Sequence, residues 1–122
     1  MPGLRVLVVD DNQHARTTLG WMLQLYGCKV MEMSGGADAL DHAPAFEPDV
    51  AVLDLGMPGM DGMTLARRLR DTMGSRAPYL VALSGFGQPT DKALAFDAGF
   101  NDYLVKPVAL EDLQRALERA LR

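Results

Sequence analysis

The feature that most constrains this chain is an alternation. Five short apolar runs, residues 4–9, 29–33, 50–53, 79–83 and 103–105, are separated by longer segments whose apolar residues recur at helical spacing. Three of the runs lack polar alternation, as expected of strands covered on both faces of a sheet. Leu19, Met22, Leu23 and Tyr26 form one amphipathic stripe, closed by Gly27. Met63, Leu65, Ala66, Leu69 and Met73 form a second, closed by Gly74, and Leu110, Leu113, Leu117 and Leu121 a third. Residues 37–46 and 90–98 supply two weaker helices, with Gly99 ending the latter. Strands alternating with helices in this way predict an α/β fold, a (βα)5 three-layer sandwich around a parallel sheet.

The length of 122 residues suits one domain, and 48% hydrophobic with 23% charged residues excludes wholesale disorder. At this size a core forms without a metal or disulfide staple. Cys28 stands alone, which excludes an intramolecular disulfide and is compatible with the cytosol. A net charge of −4 argues against a nucleic acid or an anionic membrane as the main partner. The longest apolar run, Tyr79 to Leu83, is far short of the ~20 residues of a membrane helix. Asp10 and Asp11 interrupt the first run too early for a signal peptide. The expectation is a cytoplasmic protein whose residues 1–122 make one domain, with no output module within it.

In an open α/β sheet, ligands bind beyond the carboxyl ends of the strands. Here those ends carry Asp10 and Asp11, Asp54, Ser84 and Lys106. Clustered carboxylates repel and raise one another's pKa values unless a cation joins them. Lys106 offsets one charge, and a divalent ion would offset the rest. An all-oxygen ligand set selects Mg²⁺, with Mn²⁺ possible, over Zn²⁺. Asp54 is then available as a nucleophile toward phosphorus, with the cation, Lys106 and the Ser84 hydroxyl neutralising charge in an in-line transfer.

Four stretches carry a family resemblance: Val8-Val9-Asp10-Asp11-Asn12, the segment from Val52 to Gly62 containing Asp54-Leu55-Gly56-Met57-Pro58, Leu83-Ser84-Gly85, and Tyr103-Leu104-Val105-Lys106-Pro107. In this order, and with these gaps, the chain resembles the receiver domain of two-component response regulators over essentially its whole length. The resemblance implies the flavodoxin-like strand order 2-1-3-4-5. It implies that Asp54 accepts a phosphoryl group from a histidine kinase or histidine phosphotransfer protein, in a phosphorelay that switches partner binding. Asp11 would hold Mg²⁺ directly, Asp10 largely through water, and the Gly56 backbone carbonyl would be a further ligand. Lys106 and Ser84 would hold phosphoryl oxygens, and Tyr103 would be the switch aromatic that turns inward with Ser84. Lys106-Pro107 matches a family position with a cis peptide bond that orients the lysine.

The loops near residues 8–12 and 83–88 and the tail after Lys106 look like receivers of hybrid sensor histidine kinases, a stand-alone single-domain response regulator being the alternative. The isolated domain is expected to be a self-phosphorylating switch rather than an enzyme. A haloacid-dehalogenase-like phosphohydrolase needs a second acid where this chain has Gly56, and a pseudo-receiver loses residues that are kept here. A flavin domain would not place two acids after the first strand. Gly56 and Phe86, lacking polar side chains beside the site, predict a long-lived phosphoryl group. Asp61-Gly62 reads as a turn or helix cap, and His14 and His42 as surface residues, with His14 near the donor's approach. Cys28 reads as a small buried hydrophobe and Trp21 as partly exposed.

Overall fold

The computed structural model describes residues 2–85 and 89–122, the second stretch with side chains from residue 92 onward. Phe86 therefore lies outside the described residues. The elements alternate along the chain: β1 (Arg5–Val9), α1 (Gln13–Leu25), β2 (Lys29–Met33), α2 (Gly36–Phe46), β3 (Val50–Asp54), α3 (Gly62–Met73), β4 (Tyr79–Ser84), α4 (Pro89–Asp97), β5 (Asp102–Val105) and α5 (Leu110–Ala120). A single 3-10 turn, Gly74–Arg76, follows α3. All strand pairs are parallel, in the order β2-β1-β3-β4-β5. The chain steps outward from β1 to β2 and then crosses back to β3, so the strand order reverses between β1 and β3. That reversal opens the crevice in which such sheets bind ligands.

Alternating strand residues serve two cores. Leu7, Val9, Ala51, Leu53, Leu80 and Ala82 pack toward α2, α3 and α4, against Ala39, Ala43, Leu65, Ala66, Leu69, Ala95 and Ala98. Val6, Val8, Val50, Val52, Val81, Leu83 and Leu104 face α1 and α5, against Leu19, Leu23, Leu113, Ala116 and Leu117. Alanines crowd the side that must seat three helices, where small side chains let helix and sheet approach. Each fully buried leucine or valine contributes about 1.5–3 kcal/mol, so apolar packing holds the sheet whatever the polar edge costs.

The helix ends follow from local chemistry. Asn12 caps α1, its side chain accepting the Ala15 N–H at 3.0 Å. Asp61 caps α3 by accepting the Thr64 N–H at 2.8 Å, a bond that holds its carboxyl below the usual range. Gly27 and Gly99, which close the elements before them, have φ of 81° and 107°, values that suit glycine. The expected stripe on α5 is only half right. Leu113 and Leu117 are buried, but Leu110 at the first turn and Leu121 beyond the last are exposed, and Ala116 fills the core instead. Among the described residues no helix is long and apolar enough to cross a membrane.

Candidate functional site

Strand register alone draws the polar edge together. Val9 pairs with Leu53, so Asp10 falls level with Asp54. Asp54 pairs with Leu83, and Ser84 with Val105, one residue before Lys106. Two ladder bonds continue past the strands, Leu55 N–H to the Leu83 carbonyl at 3.0 Å and Lys106 N–H to the Ser84 carbonyl at 2.7 Å. Asp10 and Asp54 also share the side-chain phase of Val6, Val8, Val50 and Val52, which points both toward the α1 and α5 side.

Carboxylate oxygens of Asp10, Asp11 and Asp54 lie within 4.8 Å of one another. Asp10 and Asp54 are buried and Asp11 is exposed. The Lys106 ammonium stands 2.9 Å from Asp10 Oδ2 and 3.5 Å from Asp54 Oδ2. Asp10 Oδ1 accepts the Asn12 N–H at 2.9 Å, and Asp54 Oδ1 accepts the Gly56 N–H at 3.2 Å. Arg16 of α1 donates to the Asp10 backbone carbonyl at 2.8 Å, fixing the turn that carries the acidic pair. Burial raises the Asp54 carboxyl above its ordinary range; the Gly56 N–H and Lys106 pull it down, and the Asp10 charge pushes it further up. Burial alone would lower the Lys106 ammonium, but the hydrogen bond to Asp10 and the charges of Asp54 and Asp10 outweigh it, and the net direction is up.

The donor set fits a hard divalent cation. Its ligands are all oxygen, and three carboxylates face a single ammonium. Asp10 Oδ2 is buried, and its compensation is the Lys106 ammonium 2.9 Å away. The remaining expected positions are also placed. Ser84 is buried at the end of β4, Tyr103 is half-buried in β5, and Gly56 is exposed beside Asp54. The Lys106–Pro107 bond is cis. His14 and His42 are exposed, Cys28 is buried, and Trp21 is 65% exposed.

Two features escaped the sequence reading. The first is Gly62, read only as part of a turn or cap. A Cβ there would sit 2.3 Å from the Asp54 carbonyl oxygen, so only glycine lets the start of α3 press against the strand end that bears Asp54. The second is Asp102, buried at the start of β5. Arg119 of α5 grips both its oxygens at 2.6 and 3.0 Å, and the Tyr79 hydroxyl donates to it at 3.1 Å. An acid directly ahead of an apolar run was the available signal.

Beside the acidic edge runs a groove of about 400 Å³ between α1 and the segment after β5, lined by residues that include His14, Thr18, Met22, Lys106, Pro107 and Val108.

Comparison with known proteins agrees with this arrangement. The family model described as the response regulator receiver domain matches residues 6–118. The response regulator MprA of Mycobacterium avium is 40% identical over 98% of this chain and 51% of its own length, and that of Mycobacterium tuberculosis matches equally. The chain thus spans about half the length of the curated relatives it matches. Among solved structures, the chemotaxis protein CheY4 of Vibrio cholerae superposes with a TM-score of 0.89 at 29% identity, covering 97% of this chain and 98% of that one. The receiver domain of the sensor histidine kinase PA1611 from Pseudomonas aeruginosa, solved with a magnesium ion in its active-site cleft, gives 0.87 at 31% identity, covering 98% of each chain. A match running from the second residue of β1 into α5, with the strand order 2-1-3-4-5 and related proteins of this one kind, leads to one assignment: this chain belongs to the response regulator receiver domain family of two-component signalling.

Proposed function

We propose that Asp54 is the phosphoacceptor of this domain and that Asp10, Asp11 and the Gly56 carbonyl, with Asp54 itself, hold Mg²⁺ beside it. The observation that carries the reading is the gathering of three carboxylates and the Lys106 ammonium at the reversal point of the sheet. An Asp54 carboxylate oxygen attacks the phosphorus of a phosphohistidine. The new O–P bond forms as the P–N bond breaks, and the departing imidazole nitrogen keeps the electron pair and takes a proton from solvent. Bound Mg²⁺ supplies neutralisation of the phosphoryl charge, a service receiver domains in general draw from this acidic pocket. Lys106, within 3.5 Å of Asp54, holds one phosphoryl oxygen in this reading, and the Ser84 hydroxyl a second. Tyr103 is the aromatic that turns toward the site as Ser84 engages, altering the surface formed by α4, β5 and α5.

The donor is a histidine kinase or a histidine phosphotransfer protein. The groove between α1 and the Pro107-Val108 segment supports its approach, because it opens beside Lys106 and is mostly apolar. In this role the domain of residues 1–122 is a cytoplasmic switch that acts on itself and turns over no separate substrate. Its context is a hybrid sensor histidine kinase, with a stand-alone single-domain response regulator as the alternative; similarity to the receiver domain of the sensor histidine kinase PA1611 supports the first. A kinase domain upstream in the native gene separates them.

The test incubates the purified protein with acetyl phosphate and Mg²⁺ and follows intact mass. Wild type gains one phosphoryl group and Asp54→Asn gains none. Equal labelling of the variant would reject the assignment.

A further inference from the structure

Tyr103 is tied through its main chain, because its N–H donates to Asp102 Oδ1 at 2.9 Å and Arg119 grips both oxygens of that carboxylate. The ring is half-buried and packs against the apolar core on the α2, α3 and α4 side. Above it stands Lys92 of α4, with Nζ 5.9 Å from the ring centroid. Lys92 is exposed, so the ammonium stays hydrated on its outer side while facing the π-cloud on the other.

We propose that Lys92 is a positioning residue for the Tyr103 ring and sets how readily the domain responds at Asp54. The inference rests on the reading of Asp54 as phosphoacceptor and of Tyr103 as the responding aromatic. The Lys92 contact is made while Lys106 is paired with the carboxylates of Asp10 and Asp54, and so belongs to the arrangement of the unmodified acceptor. A ring that turns toward the site leaves the ammonium behind. Lys92 therefore favours the unmodified arrangement, and removing its charge relieves that bias. At an exposed site a contact of this kind shifts a two-state equilibrium about two- to five-fold.

Two measurements on the whole chain test this. The first is ¹⁹F NMR after fluorotyrosine labelling, in which Tyr26, Tyr79 and Tyr103 each report separately. The second is calorimetric titration with beryllium fluoride, a phosphoryl mimic, in the presence of Mg²⁺. Lys92→Ala is expected to move the Tyr103 resonance alone and to tighten beryllium fluoride binding about two- to five-fold. Lys92→Arg, which keeps the cation, restores both readouts. In a Tyr103→Leu background, Lys92→Ala leaves the affinity unchanged. Wild-type binding with an affinity or a Tyr103 resonance indifferent to Lys92→Ala overturns this inference alone. So does an equal change in the Tyr103→Leu background. A wild-type protein that binds no beryllium fluoride overturns the phosphoacceptor reading, and this inference falls with it.

Discussion

Lys106 Nζ lies 2.9 Å from Oδ2 of Asp10, a carboxylate with no exposed surface. Stripping a carboxylate of water costs several kcal/mol, and here the return comes from that ammonium and one backbone N–H on the other oxygen. Asp54 draws on the same ammonium at 3.5 Å, so a single cation serves two buried acids. The balance stays negative, which is the electrostatic reason the edge suits a divalent ion.

Removing the ammonium should therefore be costly until a metal replaces it. Lys106→Met is expected to lose about 2 kcal/mol of stability in metal-free buffer, toward the low side for a broken buried pair because the lysine is partly exposed. Adding Mg²⁺ should narrow the gap, since a ligand bound only to the folded form stabilises it. Urea unfolding with and without Mg²⁺ measures both quantities. A loss unaffected by the cation would show that the acids do not share it.

The raised Asp54 carboxyl has a consequence for stability. A carboxyl that holds its proton more tightly when folded favours the native state at low pH, and its ionisation opposes folding once the pH rises through its folded value. Asp54→Asn should thus be more stable than wild type at pH 7 in metal-free buffer. The difference should vanish as the pH falls below the ordinary carboxylate value of about 4. Denaturant midpoints across that range give the result, and an Asn variant no more stable at pH 7 would contradict the burial argument.

Gly62 makes a backbone-level prediction. Its added Cβ would collide with the Asp54 carbonyl group, 2.3 Å from the oxygen and 2.9 Å from the carbon, and main chain cannot swing aside as a side chain can. Gly62→Ala should cost about 1–3 kcal/mol and slow labelling by acetyl phosphate. At Gly56 the added Cβ would meet Asp54 Oδ1 at 4.0 Å, an ordinary contact, so Gly56→Ala should keep the fold. Thermal unfolding of the two variants side by side distinguishes the positions.

With no side chain at Gly56 to hold an attacking water, phospho-Asp54 should outlast that of chemotaxis-type receivers. Following phosphoryl loss from the purified domain by intact mass checks this. Complete loss within seconds would be the contrary result.

Much of the site was legible because it is written at strand ends. Asp10, Asp54 and Lys106 each follow an apolar run, and a parallel sheet in one register gathers such ends along one edge. The start of β5 was not legible from apolarity, since Asp102 is charged and its burial depends on Arg119, a partner from another element. The α5 stripe misled for a different reason. Leu110 and Leu121 continue the spacing, yet they lie at or past the helix ends, where no neighbour covers them. The contacts at Gly62 and Lys92 are close approaches between elements, which spacing along the chain does not record.

The acidic edge hangs on ladder bonds of a sheet packed on both faces, whereas the Lys92 contact with the Tyr103 ring is made by an exposed side chain. In the proposed roles, capture and reporting would differ in stiffness. A phosphoryl group accepted at Asp54 would find its seat already assembled, and the response would fall to the exposed contact. Signals can thus be retuned by surface changes on α4 while the chemistry underneath keeps its shape.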